Sequence, residues 1–163
     1  MIKKDIKFNK NDVVYTPLDK AKKIIEYFKP TGKILDPCMG DGAFFNYFPK
    51  EEKNYWCEIR KNKDFFEFNE KVDWIITNPP FSTYDDFLEQ SFKIANNVVF
   101  LIPLYKTFKS KKQQSMVDNY GGLKTIIVIG SGAELNFNMG FLCGCVHYKR
   151  GYKGLVKIDK LQR

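Results

Sequence analysis

The stretch Trp74-Ile75-Ile76-Thr77-Asn78-Pro79-Pro80-Phe81 constrains this chain more than any other. Its apolar run is too short for a helix and is stopped by prolines, so it reads as a strand buried on both faces. Pro80 drives Pro79 toward an extended conformation, and Pro79 does the same to Asn78. Neither proline donates a backbone N–H, which leaves the Pro79 and Pro80 carbonyls outside any regular ladder. The outcome is a stiff turn at the carboxyl end of a strand. It presents a side-chain amide, free carbonyls and a flat ring. A planar heterocycle with an exocyclic amino group suits that set, stacking on Phe81 and donating its N–H groups to the Asn78 oxygen and the Pro79 carbonyl. A tight turn with Phe81 in the core would use the same residues.

A second strand, Lys33-Ile34-Leu35, runs into Asp36-Pro37-Cys38-Met39-Gly40-Asp41-Gly42-Ala43-Phe44, with a helix expected from Ala43 to about Phe48. Glycines there permit a sharp turn and a close approach to a ligand. A phosphate loop fails on residue type: no Lys-Ser or Lys-Thr follows the glycines, and Asp36 and Asp41 repel phosphate. Carboxylates suit a cation instead. The next strand, Tyr55 to Ile59, carries Glu58 at its end, 22 positions after Asp36. That is close to the spacing at which an acidic residue takes ribose hydroxyls, although a surface glutamate at a strand end is the plainer alternative. Only five residues lie between Glu58 and Asp64, so no full helix fits and the sheet is trimmed at this edge.

Ahead of these strands, Thr16 is an N-cap residue, Pro17 fits a first helical position, and Leu18, Ala21, Ile24, Ile25 and Phe28 repeat at helical spacing. Beyond them, Asp85 to Ala95 reads as a helix and Val98 to Leu104 as a buried strand of a parallel sheet. Lys106, Lys109, Lys111 and Lys112 follow, in a stretch that turns helical to about Tyr120; they suit a phosphate backbone or a solvated helix start equally. Thr125–Ile129 and Met139–Tyr148 form an antiparallel final pair. Lys149, Arg150, Lys153, Lys157, Lys160 and Arg163 make a second basic strip.

Taken in order, the Tyr15-Thr16-Pro17 helix start, Asp36-Pro37-x-x-Gly40-x-Gly42-x-Phe44, Glu58, Asp64-Phe65 and Asn78-Pro79-Pro80-Phe81 resemble the motifs of S-adenosylmethionine-dependent DNA adenine-N6 methyltransferases. The resemblance covers residues 13 to about 104. It implies a three-layer α/β/α, Rossmann-like class I methyltransferase fold, a mostly parallel sheet ending in an antiparallel C-terminal hairpin. It implies a cofactor site at Tyr15, Thr16, Pro17, Asp36, Pro37, Gly40, Gly42, Glu58, Ile59, Asp64 and Phe65. In that scheme Asp36 takes the cofactor's α-amino group, Glu58 its ribose, Ile59 and Phe65 its adenine faces, and Asp64 its adenine N6. Asn78, Pro79, Pro80 and Phe81 would be catalytic. One departure is that no target-recognition region is visible. Specificity is then slight, or a second chain (another copy or a separate specificity subunit) supplies the missing contacts. Methylation of another amine (an RNA base, cytosine N4 or protein glutamine) is the alternative activity. A non-catalytic subunit that binds nucleic acid or a partner is the alternative class.

The 163 residues are enough for one domain with a real core, here a catalytic domain over 1–163 with a basic arm at 1–12. A net charge of +8 favours a polyanionic partner: DNA first, RNA second. No window is apolar enough to span a bilayer and no signal region follows the N-terminal charges, so a soluble, cytoplasmic protein without a membrane partner is expected. Cys38, Cys57, Cys143 and Cys145 fit a reducing compartment. Cys143-x-Cys145-x-His147 lacks the paired spacing of zinc modules and reads as core, so no metal is expected.

Overall fold

The computed structural model describes residues 14–137 and 140–161. The expected basic arm at 1–12 and Arg163 of the tail lie outside them. Seven strands form one sheet among the described residues: β1 Lys33–Asp36, β2 Lys53–Trp56, β3 Val72–Thr77, β4 Ala95–Pro103, β5 Gly121–Ser131, β6 Leu142–Arg150 and β7 Lys157–Lys160. Their order is β2-β1-β3-β4-β6-β5-β7. All neighbours run parallel except β6, which is antiparallel to both β4 and β5.

Among the described residues, three α-helices cover the sheet. Helix α1 (Leu18–Phe28) packs Ala21, Ile24 and Ile25 on one face; α2 (Tyr84–Ile94) and α3 (Lys111–Tyr120) pack Phe87, Leu88, Phe92, Val117 and Tyr120 on the other. The central strands divide their side chains between these layers residue by residue. Val98, Phe100 and Ile102 face α2 and α3, while Val99 and Leu101 face α1. Both sets are fully buried, which is why β3 and β4 read as continuous apolar runs and not as alternating ones. Among the described residues, no helix is long and apolar enough to cross a membrane.

Several local expectations give way. The helix expected from Ala43 to Phe48 is a single 3-10 turn, Phe45–Tyr47, because Pro49 forces Phe48 out of helical geometry, to φ −61° and ψ 140°. Helix α1 starts at Leu18 with Pro17 as its capping residue, and the Thr16 hydroxyl makes no cap bond. After β2 come only short turns, Ile59–Lys61 and Phe65–Glu67, so β2 is an edge strand as the short spacing requires. The basic tail contains strand β7, whose Lys-Ile-Asp-Lys is too short and charged to carry a strand signal. Arg150 is exposed but engaged: its guanidinium donates to the Phe92 and Ala95 carbonyls at 2.6 and 2.8 Å, satisfying the end of α2.

Where β6 lies between β4 and β5, a Cβ on Gly144 would run into the Ile127 carbonyl of β5. Backbone cannot yield there without opening the ladder. Gly144→Ala is therefore expected to cost about 1–3 kcal/mol or more in urea denaturation. Gly140→Ala, where a Cβ meets nothing within 4 Å, should stay within about 0.5 kcal/mol.

Candidate functional site

Parallel strands end together, and β1, β3 and β4 deliver the loops after them to one edge of the sheet. Asp36, the last residue of β1, is 1% exposed there. Its Oδ1 accepts from the Thr77 hydroxyl of neighbouring β3 at 2.7 Å and from the Cys38 N–H at 3.2 Å. No Lys or Arg among the described residues forms an ion pair with it. Burial pushes its carboxyl up to about 7, the Thr77 and Cys38 hydrogen bonds pull it back in part, and nearby Glu58 raises it again.

Glu58 is paired differently. Its Oε2 accepts from the Gly40 N–H at 2.8 Å, and its Oε1 from the Arg60 N–H and Nε at 3.2 and 3.0 Å. Burial raises its carboxyl, but the Arg60 and Gly40 donors outweigh that and hold it below the usual range. Gly40 reaches Glu58 at φ +54°, and a Cβ there would meet nothing within 4 Å, so the glycine borders open space. Gly42, at φ +89°, lies close to the Asn46 side chain. Pro37, next to Asp36, is buried.

Asn78 follows Thr77, and its Nδ2 donates to the Val14 carbonyl and the Thr16 hydroxyl, both at 3.3 Å. A carbonyl only accepts, so the amide nitrogen must face Val14 and the Asn78 Oδ1 is turned the other way. No group among the described residues donates to that oxygen. Pro79 is buried, and no side chain or other element among the described residues bonds its carbonyl. Phe81, half-buried, sets its ring 5.1 Å from Phe137, and Lys106 Nζ donates to its carbonyl at 3.1 Å.

Residues Val14 to Thr16 cross this edge as a strap. Beyond the Asn78 bonds, the Tyr15 hydroxyl accepts from Arg60 Nη1 at 3.3 Å, and its carbonyl from Asn136 Nδ2 at 3.1 Å. Pro17 ends the strap, its carbonyl accepting the Ala21 N–H. Beside Glu58, Ile59 is 53% exposed. Asp64 uses Oδ1 to hold the Phe66 N–H at 2.9 Å and lines a surface depression with Trp56 and Lys63. Phe65 goes into the core, 3% exposed, with its ring 5.1 Å from Phe87.

The edge thus gathers an uncompensated buried carboxylate, an ionised one, an exposed aliphatic and an outward amide oxygen. The first suits an ammonium group and the second hydroxyl donors; the other two suit a flat ring and an N–H. Sequence reasoning missed Thr77, Arg60 and Asn136. Thr77 and Arg60 each stand one position from a predicted residue, and a buried carboxylate needs such donors; Asn136 carries no local signal. Cys143 and Cys145 are core, and among the described residues no His, Cys, Asp and Glu side chains gather to hold a metal. His147 is neutral: burial, then Lys124 and Lys149, drive its ring down to about 3, and Nε2 lies 3.0 Å from the Asn97 oxygen.

No protein-family model matches the sequence, and no curated protein resembles it closely enough to count as a relative. Solved structures do match. One is described as a modification subunit of a type I restriction enzyme from Vibrio vulnificus YJ016, at TM-score 0.68 and 16% identity, over 90% of this chain and 47% of that one. Another is a class I S-adenosylmethionine-dependent methyltransferase from Listeria monocytogenes, at TM-score 0.67 and 13% identity, over 97% and 68%. A third is 23S rRNA methyltransferase ErmE, at TM-score 0.68 and 10% identity, over 87% and 73%. The fold is that of the class I methyltransferases. This methyltransferase fold spans about half the length of the Vibrio subunit, and its neighbours include enzymes named for different substrates.

Within the fold, Asp36 makes a prediction about pH. Its carboxyl rises on folding from 3.8 to about 7, so its contribution to stability is fully present below about 4 and is lost as pH rises through 7. Asp36→Asn keeps the acceptor for Thr77 and does not titrate. Relative to that variant, the unliganded wild type should lose melting temperature between pH 4 and 7 and run parallel to it above 8.

Proposed function

We propose that this chain transfers a methyl group from S-adenosylmethionine to the exocyclic N6 amine of adenine in DNA, with residues 1–163 acting as one catalytic domain. The observation that carries the reading is Asp36, a buried carboxylate with no cation among the described residues, beside a glycine loop. The residues fit the cofactor. Asp36 would hold its α-ammonium, Glu58 would accept from ribose hydroxyls with the lone pairs that Arg60 and Gly40 leave, and exposed Ile59 would cover a face of its adenine. Asp64 has an oxygen left for the adenine amine. Phe65, deep in the core, would support that wall from behind. Bound there, the cofactor supplies an electrophilic methyl on a positively charged sulfur.

Asn78 Oδ1 and the Pro79 carbonyl would accept the two N–H groups of the target amine. That pulls the nitrogen lone pair out of conjugation with the ring and aims it at the methyl carbon. The amine nitrogen would take that methyl with the C–S electron pair left on the departing sulfur, and the methylated amine would release its extra proton to water. No strong base is required, and positioning supplies much of the rate. Phe81 would stack on the target base. Lys109, Lys111 and Lys112 would contact phosphates. A further copy or a specificity subunit would contribute sequence recognition, a role consistent with the modification-subunit neighbour. The rRNA methyltransferase neighbour favours an RNA base amine as the second reading.

Labelled methyl transfer to single-stranded and duplex DNA, structured RNA and protein extract, followed by digestion to nucleosides, tests this reading. N6-methyladenine in DNA is the expected product, and label in RNA alone overturns the choice of DNA. Asn78→Ala should lower the rate by about 10²-fold or more while cofactor affinity, read by calorimetry, changes little. That affinity should rise about tenfold per pH unit below 7 and level off above it, as Asp36 ionises to meet the ammonium.

A further inference from the structure

Beyond the end of β4, next to the Asn-Pro-Pro-Phe turn, the surface breaks the ordinary rule that large rings are buried. Tyr105 and Phe108 are 55% and 65% exposed on the turn Leu104–Phe108, and Phe141, just ahead of β6, is 48% exposed. The Tyr105 and Phe141 rings lie 5.0 Å apart, so they form one surface. Lys106 ties that surface to the site. Its ammonium lies 5.7 Å from the Phe81 ring and 5.9 Å from the Tyr105 ring, and it donates to the Phe81 carbonyl.

Charge on the same rim is unbalanced. Lys109 pairs with Asp85 at 3.8 Å. Lys111 and Lys112, however, sit exposed in the first turn of α3, which holds no acidic residue. Cations at a helix N-terminus are repelled by its dipole, at a cost that packing does not return here because both are exposed. An anionic partner resolves that repulsion. Exposed rings interleaved with lysines match the requirements of an unpaired nucleic-acid strand, whose bases have free faces to stack and whose phosphates need cations. A duplex keeps its bases stacked on one another and offers those rings nothing.

We propose that Tyr105, Phe108 and Phe141, with Lys111 and Lys112, bind unpaired nucleic-acid strand and that the substrate is therefore a base in single-stranded DNA or RNA. This rests on the methyl-transfer reading and names its substrate class. A single strand running from this surface toward Phe81 delivers its base to Asn78 already out of a helix, so no unstacking of a duplex is needed.

Fluorescence anisotropy of labelled twelve-nucleotide DNA and RNA single strands, the matching duplexes, and inorganic polyphosphate of equal charge tests it without cofactor present. Either single strand should bind about tenfold or more tightly than its duplex and than polyphosphate; the DNA and RNA arms identify the source. Tyr105→Ala with Phe141→Ala, both exposed positions whose variants are checked by thermal melting, should weaken single-strand binding about tenfold or more. Duplex binding should stay within about twofold. Lys111→Gln with Lys112→Gln should lower the slope of log affinity against log salt by about 1.4. Equal or tighter duplex binding, polyphosphate binding as strong as the oligonucleotide's, or an unaffected ring variant overturns the proposal. Cofactor affinity measured on the same preparations separates the two readings. Cofactor binding with no single-strand preference defeats this inference alone. Single-strand preference with no cofactor binding defeats methyl transfer and leaves the stacking surface standing.

Discussion

Asp36 sits where a carboxylate is expensive to keep. An ionised group taken out of water without a partner costs many kcal/mol, and a protein usually relieves this by shifting the group toward its neutral form. Here the Thr77 hydroxyl and the Cys38 N–H relieve part of the cost, and the remainder leaves the group titrating near neutrality. Thr77 can reach it because β1 and β3 are parallel neighbours whose ends lie within one residue of each other in register. The glycine loop then turns over the carboxylate and carries Gly40 to Glu58. A cation arriving at Asp36 would complete a site whose other parts are already held in position.

The strap at Val14–Thr16 gives the edge its second organising contact. One short segment bonds residues that follow β2, β3 and β5: Arg60, Asn78 and Asn136. Through Asn78 it decides which atom of the amide is turned outward, and through Arg60 it reaches Glu58. The cofactor wall and the proposed target-base wall are thus tied by the same three residues. The Thr16 hydroxyl, which would cap α1 in an isolated helix, accepts from the half-buried Asn78 amide instead.

Much of the sheet was legible from local pattern. Residues Val98 to Ile102 and Trp74 to Ile76 are apolar at successive positions, and only strands covered on both faces read that way. The short interval from Glu58 to Asp64 already excluded a helix after β2. What failed was local in appearance and tertiary in cause. Pro49 cut the helix after the glycine loop to one turn. Strand β7 forms only because β5 offers it an edge, with Asp159 bound by Lys157 and Tyr27. Phe65 is drawn into the α2 layer by Phe87, where a motif reading puts it over a ligand.

From its residues alone, the chain determines a sheet of buried strands, a stiff Asn-Pro-Pro-Phe turn and a glycine loop flanked by carboxylates. These follow from backbone restriction and apolar run length, which act over a few neighbours. Only the tertiary structure decides that Asp36 has no cation among the described residues while Glu58 has Arg60, that Asn78 turns its oxygen away from Val14, and that Tyr105 and Phe141 meet on the surface. Each depends on groups tens of residues apart brought within hydrogen-bond or ring-contact distance, and no local spacing encodes which of them will meet.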